Sequence, residues 1–76
     1  MVRLRITNTY ADRESTVEVC VPDPDSLDPA DLVDWWEGPV FAETGDGLGG
    51  YADYEAVVLE SDKYPSLVGE EYGWQG

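Results

Sequence analysis

The chain has 76 residues, with 17 Asp and Glu against 4 Lys and Arg, no histidine, and a formal net charge of -13. That balance disfavours direct contact with DNA, RNA or an anionic membrane and favours basic protein surfaces. A single cysteine rules out an internal disulfide, and with no histidine it argues against a structural zinc site, so stability must come from an apolar core or a partner.

The composition is 42% hydrophobic with 3 Trp, 5 Tyr and 1 Phe, too aromatic for a disordered acidic tail. One small folded domain over residues 1–76 is expected. After Val2 the apolar residues are interrupted at once by Arg3 and Arg5, so no signal-peptide core forms. No apolar run approaches the ~20 residues that span a bilayer. A cytoplasmic protein without a membrane partner is expected, and the lone thiol fits a reducing compartment.

Residues 2–9 alternate, with Val2, Leu4 and Ile6 on one face and Arg3, Arg5 and Thr7 on the other. Residues 15–21 alternate again, with Val17, Val19 and Val21 aligned, and the short polar link between the two runs makes a β-hairpin. Arg3 and Arg5 then lie across from Glu18 on the solvent face. Three of the four basic residues fall in this hairpin, so the remainder is more acidic than the average.

Pro22-Asp23-Pro24-Asp25 ends the second strand, because proline cannot donate to a ladder. A helix follows from about residue 29 to 37. Asp28 is the expected cap, Pro29 suits the first turn, and Gly38-Pro39 is the expected stop. Leu32, Val33 and Trp36 share its apolar face. Val40-Phe41-Ala42 is a final turn or an extended piece, and Thr44 to Gly50 is a glycine-rich loop. A third strand is expected over about 53–60, around the apolar run Ala56-Val57-Val58-Leu59. A turn follows at Ser61–Pro65, then a helical turn near Leu67 and a short fourth strand or ordered tail through Trp74.

The fold expected is α+β: a small antiparallel sheet, built from the N-terminal hairpin and one or two further strands, with one helix on a face. Leu4, Ile6, Val17, Val19, Leu32, Trp36, Val57 and Leu59 are the expected core. The parity of the third strand stays open, because an unbroken apolar run carries no alternation.

The segments Asp34-Trp35-Trp36, Thr44-Gly45-Asp46-Gly47, Tyr54-Glu55-Ala56, Leu67-Val68-Gly69 and Tyr72-Gly73-Trp74 resemble those of small acidic proteins encoded by actinobacteria and their phages. The likeness covers most of residues 2–74. It implies a phage-like context and no catalytic activity.

Catalytic and metal chemistry find little support in these residues. Glycosidase-type catalysis needs two acids in unlike environments flanking a pocket, whereas these are scattered through polar segments. Asp23, Asp25 and Asp28 lie close in sequence but lack the loop that wraps a hard cation. Residues 45–50 have the glycines of a phosphate loop without its lysine, and Asp46 would repel phosphate. Cys20 has no histidine to activate it and is expected to be packed or half-buried. No catalytic residue, metal site or cofactor is expected, and the chain reads as a non-enzyme.

Protein binding remains. Asp28, Asp31 and Asp34 recur every three residues, forming a carboxylate stripe about 9 Å long on the helix. DNA carries one negative charge per ~1.7 Å of axis, so such a face can occupy a nucleic-acid-binding cleft in its place. Trp35 points about 100° from Trp36. It is either further core filling or an exposed anchor beside the stripe. Asp28, Asp31, Asp34 and Trp35 are therefore the candidate partner-binding residues, and a basic protein surface is the candidate partner. The two readings are a DNA mimic or inhibitor of a nucleic-acid-handling protein, and a small structural or accessory phage protein without mimicry.

Overall fold

A computed structural model describes residues 1–45 and 52–75. The glycine-rich loop expected at 44–50 falls mostly outside them. Strand β1 (Val2–Tyr10) pairs antiparallel with β2 (Glu14–Val21), opposing Leu4 to Val19 and Ile6 to Val17. The turn closes where the Tyr10 N–H donates to the Arg13 carbonyl at 2.7 Å. Strand β3 (Ala52–Ser61) pairs with the other edge of β1, and β4 (Glu71–Gln75) pairs with β3, both antiparallel. The result is a four-stranded sheet in the order β2-β1-β3-β4.

The alternation in β1 sets which face is covered. Val2, Leu4, Ile6 and Tyr10 turn inward and are buried, while Arg3, Arg5 and Thr9 stay in water. Helix α1 (Pro29–Trp35) packs on the inward face, and the core joins Val2, Leu4, Ile6, Val21, Trp35, Trp36, Val40, Ala56, Val58 and Leu67. The α+β architecture with a helix over one sheet face is therefore present. Among the described residues no helix is long and apolar enough to cross a membrane.

The helix does not stop at Gly38-Pro39. It widens into a π turn over Trp36–Val40 and tightens into a 3-10 turn over Phe41–Glu43. Pro39 has no N–H to offer an α-helical carbonyl and its ring crowds the preceding turn, and a widened turn relieves both faults. Continuing the helix carries Val40 into the core, where it is fully buried. Asp28 stands at the cap position, but its side chain makes no cap bond. Its backbone carbonyl accepts from the Leu32 N–H at 2.9 Å, while Ser26 Oγ accepts from the Asp28 N–H at 3.1 Å.

The third strand resolves its parity against Val57 and Leu59. The register shifts between Arg3 and Leu4, so that Leu4 opposes Val58 while Arg3 opposes Glu60, leaving Leu59 as the extra residue of a bulge. Ala56 and Val58 are buried, and Val57 and Leu59 are half-buried. Val17 is also displaced from the expected core, at 44% exposure. It sits on an edge strand, whereas ring contacts of Trp36 with Tyr72 and of Phe41 with Trp74 and Tyr54 draw the helical layer toward β3 and β4. Val19 and Leu32 are half-buried and pack against the core. Cys20, expected to be packed or half-buried, is exposed, because its face of β2 has no covering layer.

After β3, Pro65–Leu67 forms a 3-10 turn that drives Leu67 into the core. The chain then returns as β4, held by the Gly69 N–H to Val58 carbonyl bond and the Val58 N–H to Glu70 carbonyl bond, both 2.9 Å. Gly69 has a φ of 91°, a backbone conformation that glycine adopts without the clash of a Cβ.

Candidate functional site

No Lys or Arg occurs between Arg13 and Lys63, so every ionisable side chain contributed by the helical layer is a carboxylate. The bases lie elsewhere. Arg3 sits on the open face of the sheet, 2.8 Å from Glu60 and 3.8 Å from Glu18. Arg13 pairs with Asp12 at 3.0 Å and lies over the Tyr10 ring. Lys63 Nζ stands 5.4 Å from the centre of the Tyr64 ring. Among the described residues, the one ion pair reaching an acid of the helical layer or its lead-in is that of the N-terminal amine with Asp23, at 3.2 Å.

The expected stripe is only partly assembled. Asp31 and Asp34 line a shallow concavity of about 170 Å³ with Asp23, Pro24, Asp25, Trp35 and Pro39. Asp28 lies outside it, exposed at the helix start. Ser26 Oγ donates to Asp31 Oδ2 at 2.6 Å, which ties that carboxylate to the segment before the helix. Tyr64 Oη donates to the Asp25 carbonyl at 3.2 Å and anchors the same segment from the other side. Asp34 is exposed, and no side-chain hydrogen bond or ion pair engages it among the described residues. Asp31 is thus tied in place, while Asp28 and Asp34 are exposed to solvent.

Trp35 does not project as an anchor. It is 4% exposed, stacks edge-on against Trp36 at 4.7 Å between ring centres, and donates its indole N–H to the Pro22 carbonyl at 2.7 Å. The 100° offset between adjacent helical positions holds, but the segment entering the helix folds back and covers the second indole. Trp35 is part of the lining of the acidic concavity.

Below the acids, a ladder of rings runs Trp35, Trp36, Tyr72, Trp74, Phe41, Tyr54 from the helix into β4 and β3. Glu37 joins this ladder by accepting from Tyr72 Oη at 2.9 Å. That hydrogen bond, then desolvation, then the Glu37 charge hold the Tyr72 hydroxyl above the ordinary tyrosine value.

Two features were missed from sequence. The first is an apolar notch of about 310 Å³ lined by Leu27, Leu32, Trp36, Ser66, Leu67 and Glu70. A signal for it existed: with Asp28 as cap, Leu27 and Leu32 occupy the two positions of a hydrophobic staple. The second is Asn8, buried among the inward residues of β1. Its side-chain carbonyl accepts from the Gly45 N–H at 2.8 Å and its amide donates to Ser15 Oγ at 3.2 Å, which fixes the exit of the helical layer to the sheet.

Among the described residues no group of three or more His, Cys, Asp or Glu is arranged to hold a metal ion. Asp46 lies outside those residues. Cys20 lies in a shallow surface hollow with Met1, Arg3, Glu60, Ser61 and Asp62. Comparison with protein-family models, with curated proteins and with solved structures found no match.

Proposed function

We propose that this chain is a non-enzymatic acidic binding module whose helical layer engages a basic surface of a nucleic-acid-handling protein, in the place that nucleic acid would occupy. The observation that carries this reading is the segregation of charge. From Asp23 to Glu43 the chain supplies carboxylates and no basic side chain, and Asp28, Asp34 and Glu37 stand exposed on one packed layer. In the low-dielectric setting of an interface such a field steers a basic partner and raises its on-rate. The helical layer itself carries no basic side chain, so the partner must supply the cations that meet its carboxylates.

The phage-like context implied by the sequence resemblance is compatible with an inhibitor of a host enzyme. Immobilised protein is expected to retain, from an actinobacterial lysate at low salt, a basic protein that duplex DNA displaces. Retention of no such protein, or of a set indifferent to DNA, contradicts the reading.

A further inference from the structure

Beside the helix start, an apolar recess opens in the acidic surface. Leu27, 42% exposed, and the half-buried Leu32 form the outer wall of the notch, with the buried Trp36 and Leu67 beneath. Ser66 and Glu70 close the side toward β4. A recess of about 310 Å³ is at the lower limit of small-molecule pockets, which run from roughly 300 to 1,000 Å³. That size suits one or two side chains.

Its borders carry charge of one sign. Glu70 is part of the lining, and Asp28, exposed, directly follows the lining residue Leu27 in the chain. Glu37 follows Trp36 and is exposed. No basic residue lines the notch. A second copy of this chain would bring a further net charge of -13 against these carboxylates, which disfavours self-association.

The geometry points to a socket for a basic peptide segment: a bulky apolar side chain of the partner enters between Leu27, Leu32 and Leu67, and flanking Lys or Arg side chains meet Asp28, Glu37 and Glu70. This deepens the proposed function and rests on it. It also reverses one of the two arrangements open from sequence, in which an indole of this chain is the anchor. Here the partner supplies the anchor and this chain supplies the recess. Burial of an aliphatic side chain then adds affinity that salt does not screen.

The test uses three dye-labelled peptides of equal length: one with two leucines flanked on both sides by lysine and arginine, one with serine for the leucines, and one with glutamine for the basic residues. Binding to the full chain is followed by fluorescence anisotropy at low and moderate salt. The leucine peptide is expected to bind at least about tenfold tighter than the serine peptide, and the glutamine peptide to bind weakly. In Leu27→Ser, and independently in Ser66→Phe, which fills the recess from an exposed position, the leucine advantage should vanish while serine-peptide binding holds; Leu27→Ser also opens the staple with Leu32 and lowers the melting temperature modestly, whereas Ser66→Phe leaves it unchanged. Equal binding of the leucine and serine peptides overturns the socket and leaves the acidic-module reading standing. Failure of both basic peptides to bind at low salt overturns both. A dimer in sedimentation that Leu27→Ser dissolves assigns the notch to a second copy and also overturns the proposal.

Discussion

The indole N–H of Trp35 donates to the carbonyl of Pro22 across 2.7 Å, a bond that joins the helix to the end of β2 over thirteen residues of chain. Trp35 therefore serves the fold. Trp35→Phe keeps the ring contacts but strands a carbonyl that has lost its donor, and should cost about 1–3 kcal/mol of stability. Trp35→Ala should cost about 3–5 kcal/mol and leave little folded protein. Urea denaturation of the two variants checks this. A Trp35→Phe midpoint equal to that of the wild type would show the bond contributes nothing.

Asn8 makes a second long-range tie. Asn8→Ala leaves the Gly45 N–H without its acceptor and Ser15 without its donor in a partly buried setting. A loss of about 1–3 kcal/mol is expected. Amide hydrogen exchange should show the Gly45 N–H losing protection beyond that global change. Unaltered exchange at Gly45 would show that the loop is held by other contacts.

Tyr72 gives a pH dependence of defined sign. Its folded value is raised, chiefly by the hydrogen bond to Glu37, so the folded chain keeps this proton where the unfolded chain loses it. The stabilisation is complete below the unfolded tyrosine value, about 10, and is lost as pH rises through the folded value. The stability difference between wild type and Tyr72→Phe should hold steady at neutral pH and decline above about pH 10. A difference unchanged across that range would contradict the linkage.

Charge repulsion acts on the whole chain. The Debye length falls from about 30 Å at 0.01 M salt to about 8 Å at 0.15 M. Melting temperature should rise over that interval, and again on mild acidification toward about pH 5, as carboxylates begin to lose charge. The exposed pair of Arg3 with Glu60 opposes the trend only weakly. A melting temperature indifferent to salt would show that the acids are already compensated.

The fold was largely legible, for physical reasons that also explain the misses. Alternation in residues 2–21 fixed the hairpin and its inward face, because a strand exposes its period directly. Ala56-Val57-Val58-Leu59 gave no period, and a bulge then set Ala56 and Val58 inward. Gly38-Pro39 reads as a stop in an isolated helix, but burial of Val40 and a π turn carry the helix through it. The site was less legible. The charge of Asp28, Asp31 and Asp34 could be read, whereas the cover over Trp35 depends on how the Pro22–Ser26 segment folds back, and no local pattern encodes that. The notch depends on Leu67 returning from a distant turn, although the Leu27–Leu32 staple marked one of its walls.

The central claim is that the exposed carboxylates of the helical layer bind a basic partner. Asp28→Asn with Asp34→Asn removes two charges that make no side-chain hydrogen bond among the described residues, so stability should shift by no more than about 0.5 kcal/mol. The decisive measurement is the affinity of the DNA-displaceable lysate partner over a salt series, for the wild type and for this double variant. Wild-type affinity is expected to fall steeply with salt, and the variant to bind more weakly at low salt and with a flatter salt dependence. Equal affinity and equal slope for the two proteins would contradict it.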